Sequence, residues 1–195
     1  MREEEHSAGC RGRARAALSA ASDWMVCVEI VDLGPLTDDE RAQLEGDEID
    51  PFDAAGVTLR YRRKDRHVVL RDDGRLVASA GLTQAEVGVV GRRFVVAGLG
   101  GVIVRADRRG QGLARRIVEL ALSRAEATRL PFVILFCHPD RGGLYERLGF
   151  ATITSPVSVQ QPRGFEPMTQ RMMWRTLQAS GSWPDGDVTV YDLPF

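Results

Sequence analysis

Two hydrophobic rhythms divide the chain. Up to Val104 the apolar residues come as β-branched runs and alternations broken by turn signals; beyond Leu113 helical spacing and continuous apolar runs take over. Val26-Cys27-Val28-Glu29-Ile30-Val31 predicts a first strand. Thr37-Asp38-Asp39-Glu40 predicts a helix start with a capping box, the helix running to about Glu45 and ending at Gly46. A polar connector over 47–56 holds Pro51 and Phe52. His67-Val68-Val69-Leu70 predicts a strand that closes on the tight Asp72-Asp73-Gly74 turn. A long strand over 76–90 follows, interrupted by Gly81 and Gly88, and a second turn at Gly91-Arg92 leads through Phe94 into a strand over 95–104.

In the second half, Leu113, Ile117, Leu120, Ala121 and Leu122 mark one helical face, with Arg115, Arg116, Glu119 and Arg124 between them. Pro131-Phe132-Val133-Ile134-Leu135-Phe136-Cys137 is a continuous apolar run, as a strand buried on both faces requires. Leu144-Tyr145-Glu146-Arg147 predicts a helix with Gly149 just past its end, where a positive φ is needed. Met172-Met173-Trp174, a turn at 182–186 and a last strand from Val188 to Tyr191 complete the chain. Antiparallel strands first and strand–helix–strand units second predict a mixed α/β sheet.

Composition narrows the class. At 195 residues, 44% of them hydrophobic, the chain suits one globular domain. A net charge of −1 argues against a nucleic-acid or anionic-membrane partner. No apolar run approaches the roughly 18 residues of a spanning helix. Cys10, Cys27 and Cys137 show no metal-ligand spacing, so no metal is expected and a reducing, cytoplasmic setting is. Residues 1–24, with Glu3, Glu4 and Glu5 ahead of an Arg/Ala stretch, read as a flexible tail, and Met25 as the start of a single domain over 25–195.

The chemistry concentrates where the strand over 95–104 turns into the helix at Leu113. Gly110 and Gly112 leave no side chain over the first free amides of that helix, and those amides with the helix dipole favour an anion of diphosphate size. Arg109 adds positive charge there. A Walker loop is excluded because the only lysine is Lys64, and a dinucleotide fingerprint fails at Arg115.

Arg109-Gly110-Gln111-Gly112-Leu113-Ala114 resembles the coenzyme A motif of the GNAT acetyltransferases, Arg/Gln-x-x-Gly-x-Gly/Ala, and Leu144-Tyr145-Glu146-Arg147-Leu148-Gly149-Phe150 resembles the family's second marker. The resemblance implies a GNAT-like fold, a mostly antiparallel sheet with a splayed parallel strand pair. It implies acetyl-CoA as acyl donor, held by Arg109, Gly110, Gln111, Gly112, Leu113 and Ala114, with the backbone of Val102 and Val104 pairing the pantetheine arm. Gly98, Gly100 and Gly101 fit a bulge or close backbone approach in that strand. Tyr145 is the implied general acid for the leaving thiolate.

The base stays open between Glu86, His138 and the C-terminal carboxylate of Phe195. The run Val102 to Gln111 is also similar to the motif of aminoglycoside 2′-N-acetyltransferases, but Gly100 stands where those enzymes carry a glutamate. The expected reaction is direct N-acetylation of a small-molecule primary amine. Asp38, Asp39, Glu40, Glu45, Asp47, Glu48, Asp50 and Asp53 point to an acidic rim suited to an aminosugar or polyamine. An inactive acyl-CoA sensor and a longer-chain acyltransferase are the alternatives, and a homodimer is admitted.

Overall fold

A computed structural model of the chain describes residues 28–52, 56 and 58–195. The expected tail, Met25, Asp53 and the start of the first strand lie outside the described residues. The strands are β1 (Glu29–Leu33), β2 (Arg66–Asp72), β3 (Arg75–Val89), β4 (Arg92–Val104), β5 (Phe132–Cys137), β6 (Ala151–Thr152), β7 (Val157–Gln161), β8 (Gly164–Pro167), β9 (Arg171–Thr176) and β10 (Val188–Val190). The helices are α1 (Asp38–Glu45), α2 (Leu113–Glu126) and α3 (Gly142–Glu146).

One mixed sheet runs β6-β9-β5-β4-β3-β10-β7-β8. The length of β3 lets it serve three partners. From Ala78 to Val89 it pairs with β4, its first half pairs with β2, and its last residues pair with β10. All pairs are antiparallel except β4 with β5 and β10 with β7.

Local chemistry explains the joints. Thr37 and Glu40 form the capping box that starts α1, the Glu40 amide donating to Thr37 Oγ1 and the Thr37 amide to Glu40 Oε2. Asp73 and Gly74 both take positive φ, 48° and 78°, closing β2 onto β3. The second hairpin differs from expectation by one residue. Its turn is Val90-Gly91, at φ 45° and 74°, so Val90 leaves the strand and is exposed.

Two apolar layers cover the sheet. On one face Ile117, Val118, Ala121 and Leu122 of α2 pack with Ala97, Leu99, Val133 and Leu135. On the other, Val96, Ile134, Phe136 and Met172 pack with Val188 and Phe195. All six residues of β5 are buried, because successive side chains feed opposite layers.

Candidate active site

The parallel ladder between β4 and β5 is short. Ala97, Gly98 and Leu99 pair with Val133, Ile134 and Leu135, and there the pairing stops. At the same level the β3–β4 register shifts, and Gly101 takes a φ of +59°. Residues 100–104 therefore peel away from β5. A cleft of about 720 Å³ opens between the two strands, lined among others by Leu99, Val104, Gly110, Gly112, Phe136 and Tyr145.

The glycines of β4 serve two purposes. Gly101 supplies the bulge. Gly98 and Gly100 make room within the chain itself: a Cβ on Gly98 would sit 2.5 Å from the Phe195 ring, and one on Gly100 would sit 2.7 Å from the Phe195 backbone. Phe195 is buried against Phe136, with ring centroids 5.3 Å apart.

At the far end of the cleft the chain leaves β4, passes a short 3-10 turn and enters α2 through Gly110 and Gly112, both at φ 77°. The amides of Gly110, Gln111, Gly112, Leu113, Ala114 and Arg115 meet no protein acceptor among the described residues; the first intrahelical bond is Arg116 N–H to Gly112 C=O at 3.1 Å. A Cβ at Gly110 or Gly112 would meet nothing within 4 Å, so the space over these amides is open. Gly110, Gly112, Leu113 and Ala114 line the cleft, and Gln111 is not among its lining residues. The cradle read from the sequence is uncapped and faces a groove of diphosphate scale.

Val102 and Val104 line the same cleft. The Val104 carbonyl accepts from Arg109 Nε at 3.2 Å, and the Arg109 guanidinium also grips Glu48. Arg109 thus stands at the cradle, with its charge compensated by a carboxylate of the connector.

Tyr145 sits near the end of α3, its ring edge-on to Phe150 at 5.8 Å. Its hydroxyl lines the cleft without a protein hydrogen-bond partner among the described residues, and burial pushes its pKa well above the usual phenol value. Burial therefore keeps the phenol protonated. His138 also lines the cleft, Nδ1 lying 2.5 Å from Asp140 Oδ1.

Glu86 is not brought to this site. It lies outside the cleft lining and pairs with Arg93 at 3.2 Å across the hairpin. Alternation explains the displacement: Gln84 and Glu86 share the solvent-facing side of β3, whereas Ala85 and Val87 face the core. Three of the carboxylates expected to form an acidic rim are engaged locally. Glu40 caps α1, Asp38 lies 3.8 Å from Arg41 and 3.7 Å from Arg63, and Glu48 holds Arg109.

Sequence reasoning missed Lys64. It lies on the irregular segment before β2, which is tied down from both sides: Arg60 N–H donates to Gln161 Oε1, Arg62 N–H to Pro194 C=O, and Asp65 N–H to Leu82 C=O. Its stem crosses Gly81 and Gly100, and its Nζ lies 3.6 Å from where a Cβ of Gly101 would be. The signal was three glycines on two paired strands that only tertiary structure places beneath one side chain.

A family model described as an acetyltransferase (GNAT) domain matches residues 46–153, more than half of the chain. Among solved structures, a GNAT family N-acetyltransferase from Escherichia coli in complex with CoA is similar at a TM-score of 0.58 and 19% identity, over 92% of this chain and 94% of that one. A GNAT family acetyltransferase from Brucella melitensis in complex with acetyl-CoA is similar at a TM-score of 0.50 and 15% identity, over 83% and 94%. A comparison with curated proteins returns no match.

Proposed function

Because this chain belongs to the GNAT acetyltransferase family, we propose that it transfers an acetyl group from acetyl-CoA to a primary amine of a small molecule by direct attack. The observation that carries this reading is that Gly110, Gly112, Leu113 and Ala114, whose amides have no protein acceptor among the described residues, line the same cleft as Tyr145. The residues present fit the donor. The amides at the start of α2 would hold the diphosphate. The edge of β4 at Val102, beyond the end of the ladder with β5, would hold the arm that leads to the thioester, the Val104 carbonyl being already bonded by Arg109.

Tyr145 then donates its proton to the departing sulfur as the amine nitrogen bonds to the carbonyl carbon and the C–S bond breaks. The proton shed by the nitrogen returns to Tyr145 through solvent, so the enzyme ends as it began. Cys137 does not act as a nucleophile, since burial raises its pKa and no base is bonded to it. With Glu86 outside the cleft, the attacking amine loses its ammonium proton to water, to the His138–Asp140 pair or to the C-terminal carboxylate of Phe195, which also lines the cleft.

The test is calorimetric titration of acetyl-CoA, followed by thiol-trapped CoA release over a panel of primary amines. Micromolar binding with turnover is expected. Tight binding without turnover on any amine would replace the enzyme with an acyl-CoA-binding module, and stronger binding of long-chain thioesters would change the donor.

A further inference from the structure

A second cavity, of about 240 Å³, lies on the other side of the bulge and shares Phe52, Tyr61, Lys64, Gly101 and Ile103 with the donor cleft. By the liquid volume of water, about 30 Å³ per molecule, it has room for roughly eight waters, the size of a small amino acid. Its walls are basic. Arg41, Arg62, Arg63 and Lys64 line it together with the neutral His67, against the carboxylate of Glu45, and the Phe195 carboxyl group lies over Gly100 beside the Lys64 stem.

Not all of these charges are free. Arg62 is satisfied by Asp65 at 3.1 Å, Asp192 at 3.5 Å and the Gln84 carbonyl. Arg41 and Arg63 share only the exposed Asp38, at 3.8 and 3.7 Å, beyond good hydrogen-bond distance. Lys64 has no ion pair or hydrogen bond among the described residues, although its stem is fixed in a trough of glycines.

We propose that this cavity is the acceptor subsite and that it takes an amine bearing its own carboxylate or phosphate, with Lys64 and Arg41 holding the anion and the amine directed past Gly101 toward the donor cleft. This rests on the transferase reading above. The physical reason is a pair of under-used donors: Lys64 is unpaired among the described residues and Arg41 has only its long contact with the exposed Asp38, so an anion between them gains two charge-assisted hydrogen bonds. The neighbouring titrations agree. Burial and Arg41 lower Lys64 to about 8, and burial, Lys64 and Arg41 lower His67 to about 4. At neutral pH Lys64 is still an ammonium, so the site is charged when the acceptor arrives. A polyamine or aminoglycoside would meet repulsion here.

The experiment measures kcat and KM for matched acceptors: glycine against glycinamide, and ethanolamine phosphate against ethanolamine, with spermidine and an aminoglycoside added. One acid is expected to exceed its neutral isostere at least tenfold in kcat/KM, and which pair shows it separates carboxylate from phosphate. In Lys64→Met and Arg41→Met the KM for that acid rises about tenfold. The acid's advantage over its isostere shrinks to within about threefold, while thermal melts and the unchanged kcat for the neutral isostere report an intact fold.

Equal loss for acid and isostere, or preference for neutral or polycationic amines, overturns the assignment. Should no amine turn over, titration of the CoA-loaded protein with N-acetylglycine and with inorganic phosphate decides the pocket by itself. Binding that weakens in Lys64→Met upholds the anion subsite, and absence of binding to the unaltered chain rejects it.

Discussion

Glu48 holds Arg109 in a two-pronged pair, Oε1 accepting from Nη1 at 2.8 Å and Oε2 from Nη2 at 2.6 Å, across the mouth of the donor cleft. The arrangement joins the connector after α1 to the cradle before α2. It also sets a carboxylate beside the place where a diphosphate would bind, so Glu48 and the donor compete for one guanidinium.

Replacing Glu48 with Gln is expected to tighten coenzyme binding. Partly exposed pairs contribute about 0.2–1 kcal/mol, which corresponds to a gain of up to about fivefold in Kd. Titration at low and high salt checks it, the gain shrinking as salt rises. Weaker binding in the variant would mean that Glu48 orders the connector instead of competing.

Gly112 separates backbone cost from charge cost. Its φ of 77° penalises any side chain by roughly 1–2 kcal/mol, so Gly112→Ala and Gly112→Glu should lose similar stability in thermal melts. Only Gly112→Glu should abolish coenzyme binding, because the open space beside this position lets its carboxylate fold over the α2 amides. Similar coenzyme affinity in the two variants would remove the cradle from the mechanism.

Tyr145→Phe keeps the buried ring and its contact with Phe150, and deletes a hydroxyl that has no hydrogen-bond partner among the described residues. Turnover should fall by about two orders of magnitude, the usual scale of general acid catalysis, with coenzyme affinity within threefold. Because burial holds the phenol proton, the unaltered enzyme should show no loss of this acid below about pH 10. An unchanged kcat in the variant would reduce Tyr145 to packing.

His67 is buried with Nδ1 3.0 Å from Ser79 Oγ, and its pKa is lowered to about 4, against 6.5 when unfolded. Above pH 6.5 both states keep it neutral. As pH falls from 6.5 toward 4 only the unfolded chain takes up this proton, so stability drops by on the order of 2 kcal/mol. Denaturant titrations across that window should show a shallower fall in His67→Gln. Parallel curves would place the pH dependence elsewhere.

The donor half of the site was legible in sequence because its signals are contiguous. Six residues from Arg109 to Ala114 contain both glycines and the helix start, and Gly149 ends the segment carrying Tyr145 within four residues. The acceptor half was not. Lys64 owes its place to Gly81, Gly100 and Gly101, and to anchors at Gln161 and Pro194 more than ninety residues away. Glu86 was chosen because its strand neighbours β4, but alternation along β3 turned it to solvent. The β7–β8 hairpin went unread although Val157 and Val159 alternate with polar residues before the turn at Pro162-Arg163, because a strand of five residues carries little periodicity.

The parting of β4 from β5 after Leu99 and Leu135 bears on how such a protein changes its guest. The proposed grip on the donor is made of peptide groups, which no side-chain replacement short of proline deletes. The grip on the acceptor is made of long side chains borrowed from α1 and an irregular stretch before β2. A lineage could therefore exchange one recipient molecule for another by editing a few positions between Arg41 and His67, while the acyl-carrier half of the machinery passes down untouched.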